Sequence, residues 1–472
     1  MLPLLYHTSN VNIPENQFLF FINSSFKAHY GSISDSNLQS LWAFCINALN
    51  FGGIPGCICA PWFTRAFGLR NSLGFAVGGI SFVASLAMST MIYTNCFELL
   101  IVGRLLVGFA SGISTVLVPI FGVDCSPTDV RGFVVNNIGI ALTVFQLLGS
   151  VLSLPQIFGT LDLLPYLVGF TALPSAVLIL TTPFIHESPK ILYVKNKRVA
   201  EAENAILFYH GPGTDPRTIF DEFTTEQSFS SHYDKTKDWG ALWPLFKTRR
   251  SLVLLSVCLL SGFGSYFAGT LVVLSYSKLF LLKTLSLSEQ SANLASVIAN
   301  VIVVPGCILS IFTIERCGRR ILIIVGFVVS AYSLIMLSTL PQLSDSWERN
   351  YAEIAHIMLL LNAVMFGPQS ISFLLAAEIF PYPLCSTVNA ANNLLMFIAA
   401  VVCVQIYAPI NRSIGSFVFL VYAGIVVPIT VWIAFNLPET KQRSLGSMSV
   451  ALFQDFGDRR STVSYEELDE SE

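Results

Sequence analysis

The sequence predicts an all-α polytopic membrane protein made of two related helical bundles. Three observations predict it: an apolar composition, eleven apolar runs of membrane-crossing length, and motifs that recur at a nearly constant offset. Of 472 residues, 53% are hydrophobic and 12% charged, against the ~25% charge of ordinary globular chains. Such a chain cannot cover a water-facing surface. The composition disfavours a cytosolic enzyme, a secreted disulfide scaffold and a disordered polymer. A net charge of −3 implies no polyanionic partner and no nucleic acid.

The runs lie near 38–61, 72–94, 97–121, 133–154, 163–184, 251–276, 292–314, 320–341, 353–377, 387–408 and 415–437. Each is close to the ~20 residues a helix needs to cross ~30 Å of hydrocarbon. Small residues at four-residue spacing, Gly52/Gly56, Gly74/Gly78 and Gly108/Gly112, fit close backbone approach between helices. Glycine is common in membrane helices, so any single pair reads equally well as background.

Lysine and arginine set the orientation. Arg65 and Arg70, Arg131, ten basic residues from Lys190 to Arg250, the group Arg316, Arg319 and Arg320, and finally Lys441 and Arg443 fall in alternate connections. The positive-inside rule makes those connections cytoplasmic. The expected organisation is an extracellular segment 1–37, a bundle of five helices 38–184, a cytoplasmic linker 185–250, a bundle of six helices 251–437 and an acidic cytoplasmic tail 438–472. Asn23-Ser24-Ser25, a glycosylation sequon, falls in the segment placed outside. Either the run at 38–61 acts as a reverse anchor or a helix belongs upstream of it.

No site for a cofactor or metal is expected. The six histidines are scattered, no CxxC pair occurs, and most of the ten cysteines sit in apolar runs as small hydrophobes. Nothing in the sequence implies an obligate protein partner. The bilayer is the expected surrounding.

Motifs recur across the polar middle. Gly68 and Gly318 stand 250 apart, Glu187 and Glu439 252 apart, and Asp124 before Pro127 and Glu378 before Pro381 254 apart. Three matches at nearly one offset indicate two homologous halves. Parallel halves enclosing a site near the membrane midplane are a transporter architecture.

Several motifs together resemble one family. These are Gly103-Arg104-Leu105-Leu106-Val107-Gly108, Ser126-Pro127 through Arg131-Gly132, Glu187-Ser188-Pro189-Lys190, Glu315-Arg316-Cys317-Gly318-Arg319-Arg320, Ala377-Glu378-Ile379-Phe380-Pro381 and Pro438-Glu439-Thr440-Lys441. From about Val11 to Leu445 the chain resembles the sugar porters of the major facilitator superfamily, especially the facilitative glucose transporters. The resemblance implies twelve helices in two bundles of six. Eleven are expected here, the first helix being the missing one. It also implies alternating access, with inner-face ion pairs that carry over to Arg70, Asp124, Arg131, Glu187, Glu315, Arg319, Arg320, Glu378 and Glu439. Seven residues after Glu378, where the family carries arginine, stands Cys385, so one gate pair is expected to be broken.

The family reads sugar hydroxyls with amide side chains, which both donate and accept. Its fifth-helix glutamine falls at Gly139, with Gln146 two turns on. Its seventh-helix glutamine pair falls at Ser265 and Tyr266, and its eighth-helix asparagine at Val303, with Asn300 a turn away. Its later aromatic positions fall at Phe373 and Phe397, and Glu378 is retained. Gln146, Ser265, Tyr266, Asn300, Phe373, Phe397 and Glu378 are therefore the candidate solute-binding residues. Arg104 is the deepest charge expected within a span. No span carries a central Asp or Glu, which favours a uniporter over a proton-coupled carrier. The implied function is facilitated passage of a hexose or related small polar solute across the plasma membrane. The alternative is a transport-inactive sensor on the same fold.

Overall fold

The computed structural model describes residues 2–127, 130–230, 238–247, 249–275, 289–343, 347–380 and 384–439. Among them every regular element is helical. The N half comprises α1 (Leu2–Ser9), α2 (Glu15–Tyr30), α3 (Asp35–Asn71), α4 (Gly78–Ser89), α5 (Glu98–Cys125), α6 (Arg131–Leu152), α7 (Leu164–Gly169) and α8 (Ala172–Thr181). The linker carries α9 (Val199–His210) and α10 (Pro216–Ser230). The C half comprises α11 (Arg249–Phe267), α12 (Thr270–Ser275), α13 (Glu289–Cys317), α14 (Arg319–Thr339), α15 (Trp347–Phe366), α16 (Pro368–Ile379), α17 (Leu384–Ile414) and α18 (Val418–Asn436). Each half has its own apolar core, and the halves meet where α3 packs on α17 and α6 on α13.

Among the described residues, eight helical runs are long and apolar enough to cross a membrane. Two of them, Asp35–Ser89 and Leu384–Asn436, are 55 and 53 residues long. Each bends at a glycine of positive φ, Gly68 or Gly415, and so holds two of the expected spans. The shorter apolar helix Asn137–Leu152 matches another. Ser34 starts α3 by accepting the backbone N–H of Asn37 at 3.4 Å.

The glycine spacing left open by the sequence has a clear role in the fold. A Cβ on Gly52 or Gly56 would collide with the carbonyls of Leu105 or Phe109, and one on Gly108 or Gly112 with those of Leu49 or Gly53. Helices α3 and α5 are therefore in backbone-to-backbone contact along this seam. Gly74 and Gly78 instead make room for side chains, those of Thr182 and Ile179.

The first residues differ from the expected extracellular segment. Helix α1 lies inside the N half, packed on α6, with Tyr6 and His7 fully buried. The Tyr6 hydroxyl donates to Leu167 O at 2.7 Å and Ser9 Oγ to Gln146 O at 2.7 Å. Eight residues of helix were too short to register as a span, yet their polar groups are satisfied by neighbouring helices. Helix α2 lays Phe18, Phe21 and Ile22 inward, with Phe18 stacked on Trp42, and leaves Asn23 exposed.

Candidate functional site

A cavity of about 80 Å³ lies between the halves, room for several waters in that measure. The N half contributes Leu4, Leu5 and Thr8 of α1, Asn50 of α3 and the α6 face from Ile138 to Gln146. The C half contributes the end of α11 with α12, and the α15–α16 junction. Both C-half walls are broken helices. Gly269, at φ 93°, separates α11 from α12, and Gly367 followed by Pro368 separates α15 from α16.

Four of the seven candidate residues line this cavity: Gln146, Ser265, Tyr266 and Phe373. Gln146 Nε2 donates to Asn300 Oδ1 at 2.8 Å, and Asn300 Nδ2 donates to Ser150 Oγ at 2.9 Å and to Ser296 O at 2.9 Å. Asn300 thus stands behind the wall, orienting Gln146 and bridging α6 to α13 across the halves. Nearby, Thr143 Oγ1 lies 3.1 Å from Cys307 Sγ on the same seam. Tyr266 interacts with Gln369, and Thr270, Gln369 and Ser370 add polar groups that the sequence reading did not single out. The signal for Gln369 was present in Gly367-Pro368-Gln369: a polar residue beside a helix break in an apolar run.

Two candidates are placed elsewhere, correcting the expectation that they line the site. The Phe397 ring is buried on Gly53, where a Cβ would collide with it, so it packs α17 on α3. Glu378 lies at the end of α16 and pairs with Arg319 Nη2 at 3.0 Å, both side chains largely buried. Cys385 is buried, and the carboxylate expected to lose its pair through Cys385 holds this arginine instead. Sequence spacing pointed seven residues downstream, whereas the partner is 59 residues upstream.

The motif residues carried over from the resemblance form two similar corners. At Gly68 (φ 82°) the chain turns, and Glu187 Oε1 accepts the backbone N–H groups of Leu69 and Arg70, each at 3.1 Å. At Gly318 (φ 84°) it turns again, and Glu439 accepts those of Arg319 at 2.9 Å and Arg320 at 3.2 Å. In both, an arginine then donates to a carbonyl: Arg70 Nη1 to Ile185 O at 3.2 Å, Arg320 Nη2 to Ala434 O at 2.8 Å. Asp124 Oδ2 accepts from Ser188 Oγ at 2.9 Å. The side chains of Arg131 and Glu315, and residues 440–472, lie outside the described residues.

Arg104 is 1% exposed, and its guanidinium donates to His7 O at 3.1 Å and Ile46 O at 3.2 Å. It ties α5 to α1 and α3. His7 Nε2 lies 2.9 Å from Thr171 Oγ1, which lies 2.7 Å from Ser85 Oγ. Asn389 of α17 donates to Val116 O of α5 at 2.7 Å, a further link between the halves.

Two apolar helical halves with recurring motifs, sharing a small, mostly apolar cavity that carries a few polar side chains, define a multi-pass membrane transporter. The chain belongs to the sugar (and other) transporter family, whose profile matches residues 4–452. It is 26% identical over 443 residues to the horse (Equus caballus) solute carrier family 2, facilitated glucose transporter member 5, covering 93% of this chain and 87% of that protein. It is 26% identical to mouse (Mus musculus) member 3, covering 94% and 89%, and 25% identical to member 9 of Pongo abelii, covering 94% and 78%. Among solved structures it resembles the proton:xylose symporter XylE bound to 6-bromo-6-deoxy-D-glucose, with a TM-score of 0.82 at 19% identity, covering 96% of this chain and 97% of that one. Its TM-score is 0.67, also at 19% identity, to the inward open conformation of XylE from E. coli, covering 96% and 98%. The major facilitator fold and the sugar-porter resemblance read from the motifs are thereby established.

Proposed function

We propose that the chain carries a hexose or closely related small carbohydrate down its gradient across the plasma membrane, by rocking of the two halves about the shared cavity. The observation that carries this reading is the cavity wall itself. Both halves contribute to it, and it offers amide, hydroxyl and aromatic groups together: Gln146 and Gln369, Ser265 and Thr270, Tyr266 and Phe373. Amides and hydroxyls pair with ring hydroxyls, and aromatic faces cover the apolar face of a sugar. The relatives' printed names, facilitated glucose transporters, support the substrate class and the passive mode.

In this reading the two glycine corners lie on the cytoplasmic side. Arg70, Asp124, Arg131 and Glu187 in one half, and Glu315, Arg319, Arg320 and Glu439 in the other, secure that face while the opposite side is open. Glu378 acts with this second set through Arg319 rather than on the solute. Asn23, exposed on α2, is the glycan acceptor on the outer side. Gln146 and Asn300 act as a unit, since a solute hydroxyl that takes the Gln146 amide must compete with Asn300 Oδ1.

Uptake of labelled hexoses into proteoliposomes tests the proposal. Saturable flux that persists after a protonophore is expected. Gln146→Leu should raise KM roughly five- to 150-fold, because a buried hydroxyl left unpaired costs ~1–3 kcal/mol. Flux that collapses with the proton gradient would overturn the passive mode, and sugar binding without flux would overturn transport.

A further inference from the structure

A second cavity, of about 340 Å³, opens beside the Gly68 corner, between that corner, the π-helical turn Ile191–Lys195 and α9. Arg70, Lys195 and Arg198 line it, one from each of these three segments or its edge, together with the amides of Asn196 and Asn204. Two carboxylates also line it, and both are engaged. Glu187 Oε1 receives the backbone N–H of Leu69, Arg70 and Ser188. Glu201 pairs with Arg198 at 3.3 Å with both side chains more than half exposed, an arrangement that binds weakly. The bonds of Arg70 and Lys195 run to neutral oxygens: Arg70 to Asn71 Oδ1 at 3.2 Å and Ile185 O at 3.2 Å, and Lys195 Nζ to Arg65 O at 2.7 Å. A concave polar space therefore has more cationic donors than available anionic acceptors.

We propose that this pocket binds a phosphate-bearing anion, held by Arg70, Lys195 and Arg198. The chemistry fits: arginine forks meet phosphate oxygens in pairs, lysine adds a point charge, and amide N–H groups complete the shell. Burial holds the Lys195 ammonium below its ordinary pKa, opposed by the charge of Glu187 and aided by that of Arg65. A bound anion would offset the burial and the Arg65 charge. Because its three cations come from separate segments, the occupant ties the linker to the N half. The phosphate can come from a soluble ester or from the headgroup of a bilayer lipid.

The test uses the full-length protein in detergent at low ionic strength. Titration calorimetry with glycerol 3-phosphate and with inorganic phosphate covers the soluble source. Native mass spectrometry after exchange into phosphatidylcholine nanodiscs with phosphatidic acid covers the lipid source. Saturable binding of glycerol 3-phosphate, weakened roughly tenfold or more by the double variant Lys195→Gln/Arg198→Gln, is expected, that being the scale of lost charged hydrogen bonds. Glu201→Gln, which releases Arg198, should tighten it. Retained phosphatidic acid that the double variant sheds, without soluble binding, supports the proposal with the lipid as source. Binding of neither probe, binding indifferent to the double variant, or equal displacement by chloride overturns it. These measurements require no flux, so they stand apart from the transport assay.

Discussion

In the N half the chain turns at Gly68 and Glu187 gathers the two amides that follow; in the C half it turns at Gly318 and Glu439 does the same. The φ angles differ by only 2°, 82° against 84°. Beyond this shared backbone the corners diverge. In the C half Glu378 holds Arg319 in a buried ion pair, and the corresponding acid of the N half, Asp124, has the hydroxyl of Ser188 among its partners. Duplication preserved the turn, where only glycine avoids both the strained φ and a collision with the carboxylate. The acid one helix away was free to take different partners.

The largest effect expected from this contrast comes from the ion pair. Arg319→Ala leaves Glu378 buried beside a lost counterion and should destabilise the protein by about 3–5 kcal/mol. Ser188→Ala, its nearest counterpart in the N half, should cost about 1–3 kcal/mol. Denaturant unfolding of the detergent-solubilised protein compares them, and equal losses would erase the distinction. Next come the turns: Gly68→Ala and Gly318→Ala should each cost about 1–3 kcal/mol, and nearly the same amount. A cost confined to one would show that the corners are not equivalent. Smaller still are Glu187→Gln and Glu439→Gln, which keep an acceptor but remove its charge, at about 1 kcal/mol each; thermal shift is sensitive enough to rank them. The smallest effect is the pH dependence contributed by Lys195, in the linker beside the Gly68 corner. Burial lowers the Lys195 pKa, so the unfolded chain binds more protons just below the ordinary value of 10.5. Stability should therefore rise slightly with pH in that window, and Lys195→Gln should flatten the slope.

Much of this architecture was legible in the sequence because it rests on properties a linear pattern carries. Apolar length marked the spans, and the offset between Gly68 and Gly318 marked the halves. The Gly52/Gly56 and Gly108/Gly112 spacing marked a helix seam, although only the fold could show that the two pairs face each other. What escaped depends on contacts between distant segments. Helix α1 is too short to register as a span, and its burial is evident only from partners such as Leu167 and Gln146. Phe397 and Tyr266 are both aromatic residues in apolar helices, yet one covers Gly53 and the other faces the cavity. No local spacing distinguishes them. Arg319 and Glu378 were both in the set expected to form ion pairs, but only the fold shows that they pair with each other, from α14 to α16.

The cavity walls are mechanically unequal. On the N side α6 is continuous, and α3 and α5 touch backbone to backbone, leaving no slack for flexing between them. On the C side both walls are interrupted, at Gly269 and at Gly367-Pro368. Any deformation that admits or releases a guest will concentrate at those two joints, so one half serves as anvil and the other as latch, despite their common ancestry.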